Sequence, residues 1–240
     1  MDEYRINQAR QAFERIESEL VEFSKHVPII PKNETIESPS LIPVIINACG
    51  LIDSLFRENT PDPVTINGRT KAKGDCDICD FAYAHSTSLD LPNTRSVLLV
   101  SPPRYLVPFK PWQTLLTGTY TPLSWWQDYN GLKHDWLVNI NKGTLGAALE
   151  ATCALHQVIT RRSDFVRFLF RRGWLSSEQF PVHFLLEAIP QGRVDCIAQT
   201  RLFATPSGKR QFPDDVSEID AGFFNCKKEF GEFLGNEFNE

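Results

Sequence analysis

At 240 residues, with 42% hydrophobic and 23% charged residues, the chain has the make-up of an ordinary globular protein, one domain with elaborations or two small ones. The formal net charge of −5 argues against a generally basic nucleic-acid binder while leaving room for a local patch. No run approaches the roughly eighteen apolar residues of a membrane-spanning helix, so no membrane association is expected.

The first predicted element is an amphipathic helix over 3–27, with Phe13, Ile16, Leu20 and Phe23 at three- and four-residue spacing. Its charged start is unlike a signal peptide. Pro28 and Pro31 end it, and a polar loop runs to Pro39. Pro39 or Ser40 opens a second helix through Arg57, apolar almost all round and therefore predicted to be buried. Residues 60–122 are rich in Gly, Pro and Thr, with one strand-like run at 95–101; they read as an irregular insertion. A third helix is expected over 124–138 with Ser124 as N-cap, and a fourth over 142–172. Small residues such as Gly146, Ala147, Ala148, Ala151 and Ala154 suit the fourth helix to close approach by a neighbour. Beyond Gly173, a short helix at 176–180, strands at 182–189 and 193–204 joined by a turn at 190–192, and an amphipathic tail over 216–240 are predicted.

The densest cluster of distinctive residues lies in the third helix. Within Leu123–Trp136 stand three tryptophans, a tyrosine, an asparagine and a Lys-His pair. Tyr129, Lys133 and Trp136 fall near one line of the helix, as do Asn130 and His134. The run Trp126-x-x-Tyr129-Asn130-x-x-Lys133-His134-Asp135, followed by an apolar helix rich in small residues, resembles the HEPN-type helical proteins of bacteria. The second helix and the segment Pro102-Pro103-Arg104-Tyr105 to Lys110-Pro111-Trp112 resemble the corresponding parts of that family, so the likeness covers about residues 10–160. HEPN ribonucleases carry an arginine four to six residues before the histidine; Asp128, Tyr129 and Asn130 stand there in this chain, with Gln127 just before them, and none is an arginine.

The resemblance implies a mainly α fold. An up-down four-helix bundle would occupy residues 1–172, with the insertion at 60–122 between its second and third helices and a small α+β extension at 173–240. It implies a homodimer joined through the motif-bearing helices, and a role as an RNA- or partner-binding module of a bacterial defence or toxin-type system. A metal-independent endoribonuclease leaving 2′,3′-cyclic phosphate ends and a purely structural dimerisation domain are the alternatives.

The candidate catalytic residues are His134, Lys133, Asn130, Tyr129 and Asp53. An imidazole titrates near neutrality and can move a proton to or from a 2′-hydroxyl. Lys133 can stabilise phosphate charge, and Asn130 and Tyr129 can orient either group. The plainer alternative is an Asn130–His134 hydrogen bond between packed helices. Asp53 is a carboxylate on an apolar helix, costly unless paired; it is expected either to reach Lys133 or His134, or to sit half-exposed at the helix edge. Arg161, Arg162, Arg167 and Arg171 could track an RNA backbone with Phe165, Phe168 and Trp174 stacking, or complement the helix C-terminus and the acidic tail. Cys76-x-x-Cys79 with His85 nearby lacks a second ligand pair, so no metal is expected, and no cofactor motif is present. The six cysteines are expected as buried free thiols of a cytoplasmic protein.

Overall fold

A computed structural model describes residues 1–66, 68–175, 196–207 and 212. The predicted elements at 176–180, 182–189 and 190–192, the tail over 216–240 and Cys226 lie outside the described residues. The fold is mainly helical with a small amount of sheet.

Helix α1 spans Glu3–Ser24; Asp2 caps it by accepting from the Arg5 N–H, and Ile6, Ala9, Phe13, Ile16 and Leu20 bury one face. Helix α2, Leu41–Asn59, is the strongly apolar helix the sequence predicts, with Leu41, Ile45, Ala48, Cys49, Ile52 and Phe56 all buried. Helix α3, Ile78–His85, arises inside the insertion. It opens with a reciprocal capping box, in which Asp77 accepts from the Asp80 N–H and Asp80 from the Asp77 N–H. Helix α4 is Ser124–Asp135, helix α5 Leu145–Thr160 and the short α6 Val166–Arg171. Ser124 is the first helical residue of α4, and Leu123 occupies the cap position without a side-chain hydrogen bond.

Helices α2 and α5 form the central pair, packed along each other, while α1 and α4 each pack against both. The pairing follows from α5's Ala148, Ala151 and Ala154, which are fully buried and let the backbones approach. The single helix expected over 142–172 is instead broken. Arg162 takes an extended conformation after α5, and a 3-10 turn, Ser163–Phe165, leads into α6. The turn places the Arg162 guanidinium against the Leu55 carbonyl near the end of α2.

The strands form two sheets. β1 (Val64–Ile66) and β2 (Arg69–Lys71) make an antiparallel hairpin that turns through Gly68, whose φ of +73° favours glycine. The larger sheet has the order β4-β3-β6-β5, from β3 (Ser96–Leu98), β4 (Arg104–Leu106), β5 (Ile197–Gln199) and β6 (Phe203–Pro206), all antiparallel. Two corrections follow. The strand expected over 193–204 is, from residue 196 on, a hairpin with its turn at 200–202, and the insertion and the described C-terminal residues share one sheet through the β3–β6 pairing.

That sheet is fixed to α5 by buried hydrogen bonds. His156 Nδ1 lies 2.8 Å from Thr205 Oγ1, and Ser96 Oγ lies 2.6 Å from the same oxygen. Gln157 donates to Ser96 Oγ at 2.9 Å and to the Thr94 carbonyl at 3.2 Å. Burial pushes the His156 imidazole down to about 3, so this ring stays neutral at physiological pH and serves as a strut. On the far side of the hairpin, the Glu17 carboxylate of α1 accepts from the Leu202 N–H and the Thr200 hydroxyl, tying α1 to the turn.

Candidate functional site

Helix α4 divides sharply by face. Trp125, Trp126, Tyr129 and Leu132 lie within one arc of the helix and are all buried. The Trp125 indole donates to the Pro108 carbonyl at 3.0 Å, and the Trp126 and Tyr129 rings meet edge-on at 5.0 Å. Gln127, Asn130 and His134 occupy the opposite arc and are exposed, whereas Lys133, one turn past Tyr129 on the same line of the helix, is exposed near the helix's C-terminal end. Tyr129 is therefore a core residue that also supports a cation: Lys133 Nζ sits 5.4 Å from its ring centroid.

The motif residues thus separate. Asn130 and His134 share the solvent face but make no hydrogen bond with each other, which corrects the expectation of a buried interhelical pair. Asp53 reaches neither Lys133 nor His134. Its carboxylate accepts from Arg57 Nε at 2.8 Å, one turn along α2, and Arg57 also donates to the carbonyls of Lys73, Gly74 and Cys76. The pair anchors the insertion to α2. Hydrogen bonding to Asp53, outweighing burial, raises the Arg57 guanidinium above its usual range.

Immediately past α4 the chain exposes large apolar side chains in sequence. Trp136 is 48% exposed, Leu137 70% and Val138 75%, and Ile140 is also exposed. The turn is held in place. The Asn139 amide donates to the Gly131 and Asp135 carbonyls, and Asp135 Oδ1 accepts from the Val138 N–H. A further exposed apolar residue, Ile36, lies on the segment clamped alongside the next turn: its carbonyl accepts from the Leu145 N–H, and the Ser38 N–H donates to Gly143.

The basic segment has a different role from the one a charge count suggests. Arg161 donates to the Leu89 and Pro206 carbonyls and pairs with Asp90 at 3.5 Å. Arg162 is buried, donates to the Leu55 carbonyl at 2.7 Å and holds Asp164 through two bonds of 3.0 and 2.7 Å. Neither presents a guanidinium to a nucleic acid. Arg167 and Arg171 are exposed, and Arg171 pairs with Glu3. Phe165, Phe168 and Trp174 are buried and offer no stacking platform. Cys76 and His85 are likewise buried, His85 bonding Thr60 Oγ1 at 2.8 Å and stacking on Phe56. Among the described residues no group of His, Cys, Asp and Glu is arranged to hold a metal ion, and Cys49, Cys76, Cys79, Cys153 and Cys196 are free.

A cleft of about 280 Å³ opens between β4, the start of α4 and the start of α5. Glu34, Arg104, Tyr105, Ser124, Asp128 and Glu150 supply its polar groups, against Trp125, Leu106 and Leu149. Arg104 pairs with Glu34. Burial, then the Glu34 charge, raises the Glu150 carboxyl above the usual range despite Arg104, and burial raises Asp128 despite Lys142. The sequence names Ser124 as a helix cap and Arg104, Tyr105 and Asp128 through the family likeness, but nothing in it joins them to Glu34 and Glu150 as one site. A usable signal existed in Glu150, the one acidic residue of the otherwise apolar run Leu145–Thr160.

Comparison with family models, with curated proteins and with solved structures gives no match for this chain. Among the described residues no helix is long and apolar enough to cross a membrane.

Proposed function

We propose that the protein is a HEPN-like binding module of a bacterial defence or toxin-type system that works as a homodimer through the end of α4. The observation that carries this reading is the pinned, exposed run Trp136, Leu137 and Val138 beside the solvent-facing Asn130, Lys133 and His134. An apolar centre with a polar border is the composition of a protein interface. A second copy is the occupant because the patch joins the motif helix through which the resemblance implies pairing. Its charged border holds both signs, Lys133 and Asp135, which is self-complementary across a two-fold axis. RNA as the principal partner is disfavoured, since Arg161 and Arg162 are committed to carbonyls and carboxylates of the fold. A four-helix bundle of HEPN type, with α1, α2, α4 and α5 as its members, fits the packing of α1 and α4 around the α2–α5 pair.

Light scattering during size exclusion tests the proposal. The wild type should elute as a dimer and Leu137→Asp/Val138→Asp as a folded monomer. A monomeric wild type at high micromolar concentration sinks the reading.

The endoribonuclease reading keeps one specific support: Lys133 and His134 are adjacent and both open to solvent. Its test is incubation with total RNA without added metal. Fragments with 2′,3′-cyclic phosphate ends that vanish in His134→Ala would establish it, and intact RNA with folded dimer would remove it.

A further inference from the structure

We propose that the cleft between β4, α4 and α5 is a binding site for a small organic cation, an ammonium group that also carries a neutral hydrogen-bond acceptor. It is independent of the dimer reading. The cleft lies at the N-terminal half of α4, the apolar turn at its other end.

The walls are built on regular elements, which fixes their geometry: Arg104, Tyr105 and Leu106 from β4, Ser124, Trp125 and Asp128 from α4, and Leu149 and Glu150 from α5. The volume of about 280 Å³ lies just under the range of roughly 300–1,000 Å³ common for small-molecule pockets, so a fragment-sized ligand fits. The fourth side approaches closely at Gly146, where an added Cβ would stand 3.2 Å from the Glu34 carbonyl oxygen, so a larger residue would need Glu34 to shift by a few tenths of an ångström.

The chemistry follows from which polar groups are left over. Arg104 and Glu34 neutralise each other. Asp128, Glu150 and the Ser124 hydroxyl line the same cleft, and none has a hydrogen-bond or ion-pair partner among the described residues. Arg104 Nε is shielded from solvent and has no acceptor. Asp128 and Glu150 are half-buried, Ser124 is exposed beside them and Arg104 Nε is fully shielded, and all four line one cavity. Two carboxylates call for a positively charged donor, the Nε–H calls for a neutral acceptor, and Trp125 and Leu149 give an apolar wall for a short carbon chain. Burial raises both carboxyls even though the charges of Arg104 and Lys142 lower them, so neither nearby cation offsets their withdrawal from water.

A pair of probes of equal length and opposite charge tests this. Amide and indole resonances of the ¹⁵N-labelled full chain would be followed during titration with 4-aminobutan-1-ol and, separately, 4-hydroxybutanoate. The amino alcohol should shift Ser124, Asp128, Glu150 and the Trp125 indole saturably, with a dissociation constant of about 10 mM or below for so small a fragment. The carboxylate should leave them in place. In Asp128→Asn/Glu150→Gln the amino alcohol should bind at least about tenfold more weakly. Equal shifts from both probes, no saturation by about 50 mM, or unchanged affinity in the double variant would each overturn the proposal. The wild-type comparison decides the matter if the variant does not fold.

Discussion

The segment around Arg161 and Arg162 and the cleft around Glu150 and Asp128 are both rich in charge, and they use it in opposite ways. In the first, the charged groups meet partners inside the protein: Arg162 bonds Leu55 and Asp164, and Arg161 bonds Leu89 and Pro206. In the second, two carboxylates stand against one arginine that is already paired with Glu34. Burial alone would raise the Asp164 carboxyl, but the hydrogen bonds and charge of Arg162 overcome it and hold Asp164 below the usual range. Glu150 has no such partner, and burial wins. The contrast teaches that a run of arginines in a sequence measures neither surface charge nor binding. Availability is decided by where the chain turns.

The largest effect should come from breaking the satisfied side. Arg162→Ala leaves the Leu55 carbonyl without its donor and Asp164 with only the N-terminal ammonium of Met1 at 3.4 Å, and should cost about 3 kcal/mol of stability, read from urea unfolding midpoints. The effect should shrink in acid. The folded Asp164 carboxyl is held low, so its contribution is present above the unfolded value and lost as pH falls through the folded one. A loss that stays constant from pH 7 to pH 3 would show that Arg162 acts through the Leu55 carbonyl and packing, not through Asp164.

Next in size is the polar strut between α5 and the sheet. Thr205→Val removes the oxygen shared by His156 and Ser96 and should cost about 2 kcal/mol, with faster amide exchange in β3 and β6 as its local signature. A loss of stability without local exchange would mean that the sheet is held to α5 by apolar contact instead.

How much of this was legible in the sequence differs by element. Helix α1 carries clean three- and four-residue spacing and stops before Pro28, helix α2 is an apolar run that opens after Pro39, and their ends fall within a few residues of expectation. Buried Trp125, Trp126, Tyr129 and Leu132 likewise follow from helical period. The α3 capping box was written as Asp77-x-x-Asp80 but sat in a segment whose Gly, Pro and Thr content suggested irregularity. The shared sheet could not be read from local pattern, because β3 and β6 are about a hundred residues apart and each is three or four residues long. For the candidate site, the residue types on α4 were visible while their partners were not. Whether Asp53 meets Arg57 or Lys133 depends on how α2 is rotated, which the pattern of a helix apolar almost all round does not specify.

On the unsatisfied side the expected changes are smaller and of opposite sign. The folded Glu150 carboxyl is raised, so its contribution to stability is fully present below the unfolded value and lost as pH rises through the folded one. Glu150→Gln does not titrate and escapes that loss. Its melting temperature should exceed that of the wild type at pH 8, with the advantage disappearing near pH 4. A gain in stability on removing a carboxylate marks a group kept for something other than folding. A loss at pH 8 would place Glu150 among the structural charges and erase the contrast with Arg162.

The smallest effect should be at the partly exposed pair on α2. Asp53→Asn keeps the shape of the side chain and removes its charge, leaving Arg57 with three backbone carbonyls as acceptors. Both partners are about one-third exposed, so solvent screening limits the pair, and a change of about 0.5 kcal/mol is expected. Arg57→Ala should cost more than Asp53→Asn, since it also strands the carbonyls of Lys73, Gly74 and Cys76. Equal costs would mean that the ion pair itself, rather than the guanidinium's grip on the 73–76 backbone, holds the insertion to α2. Asp53 would then belong with Asp164 as a carboxylate on which the fold depends.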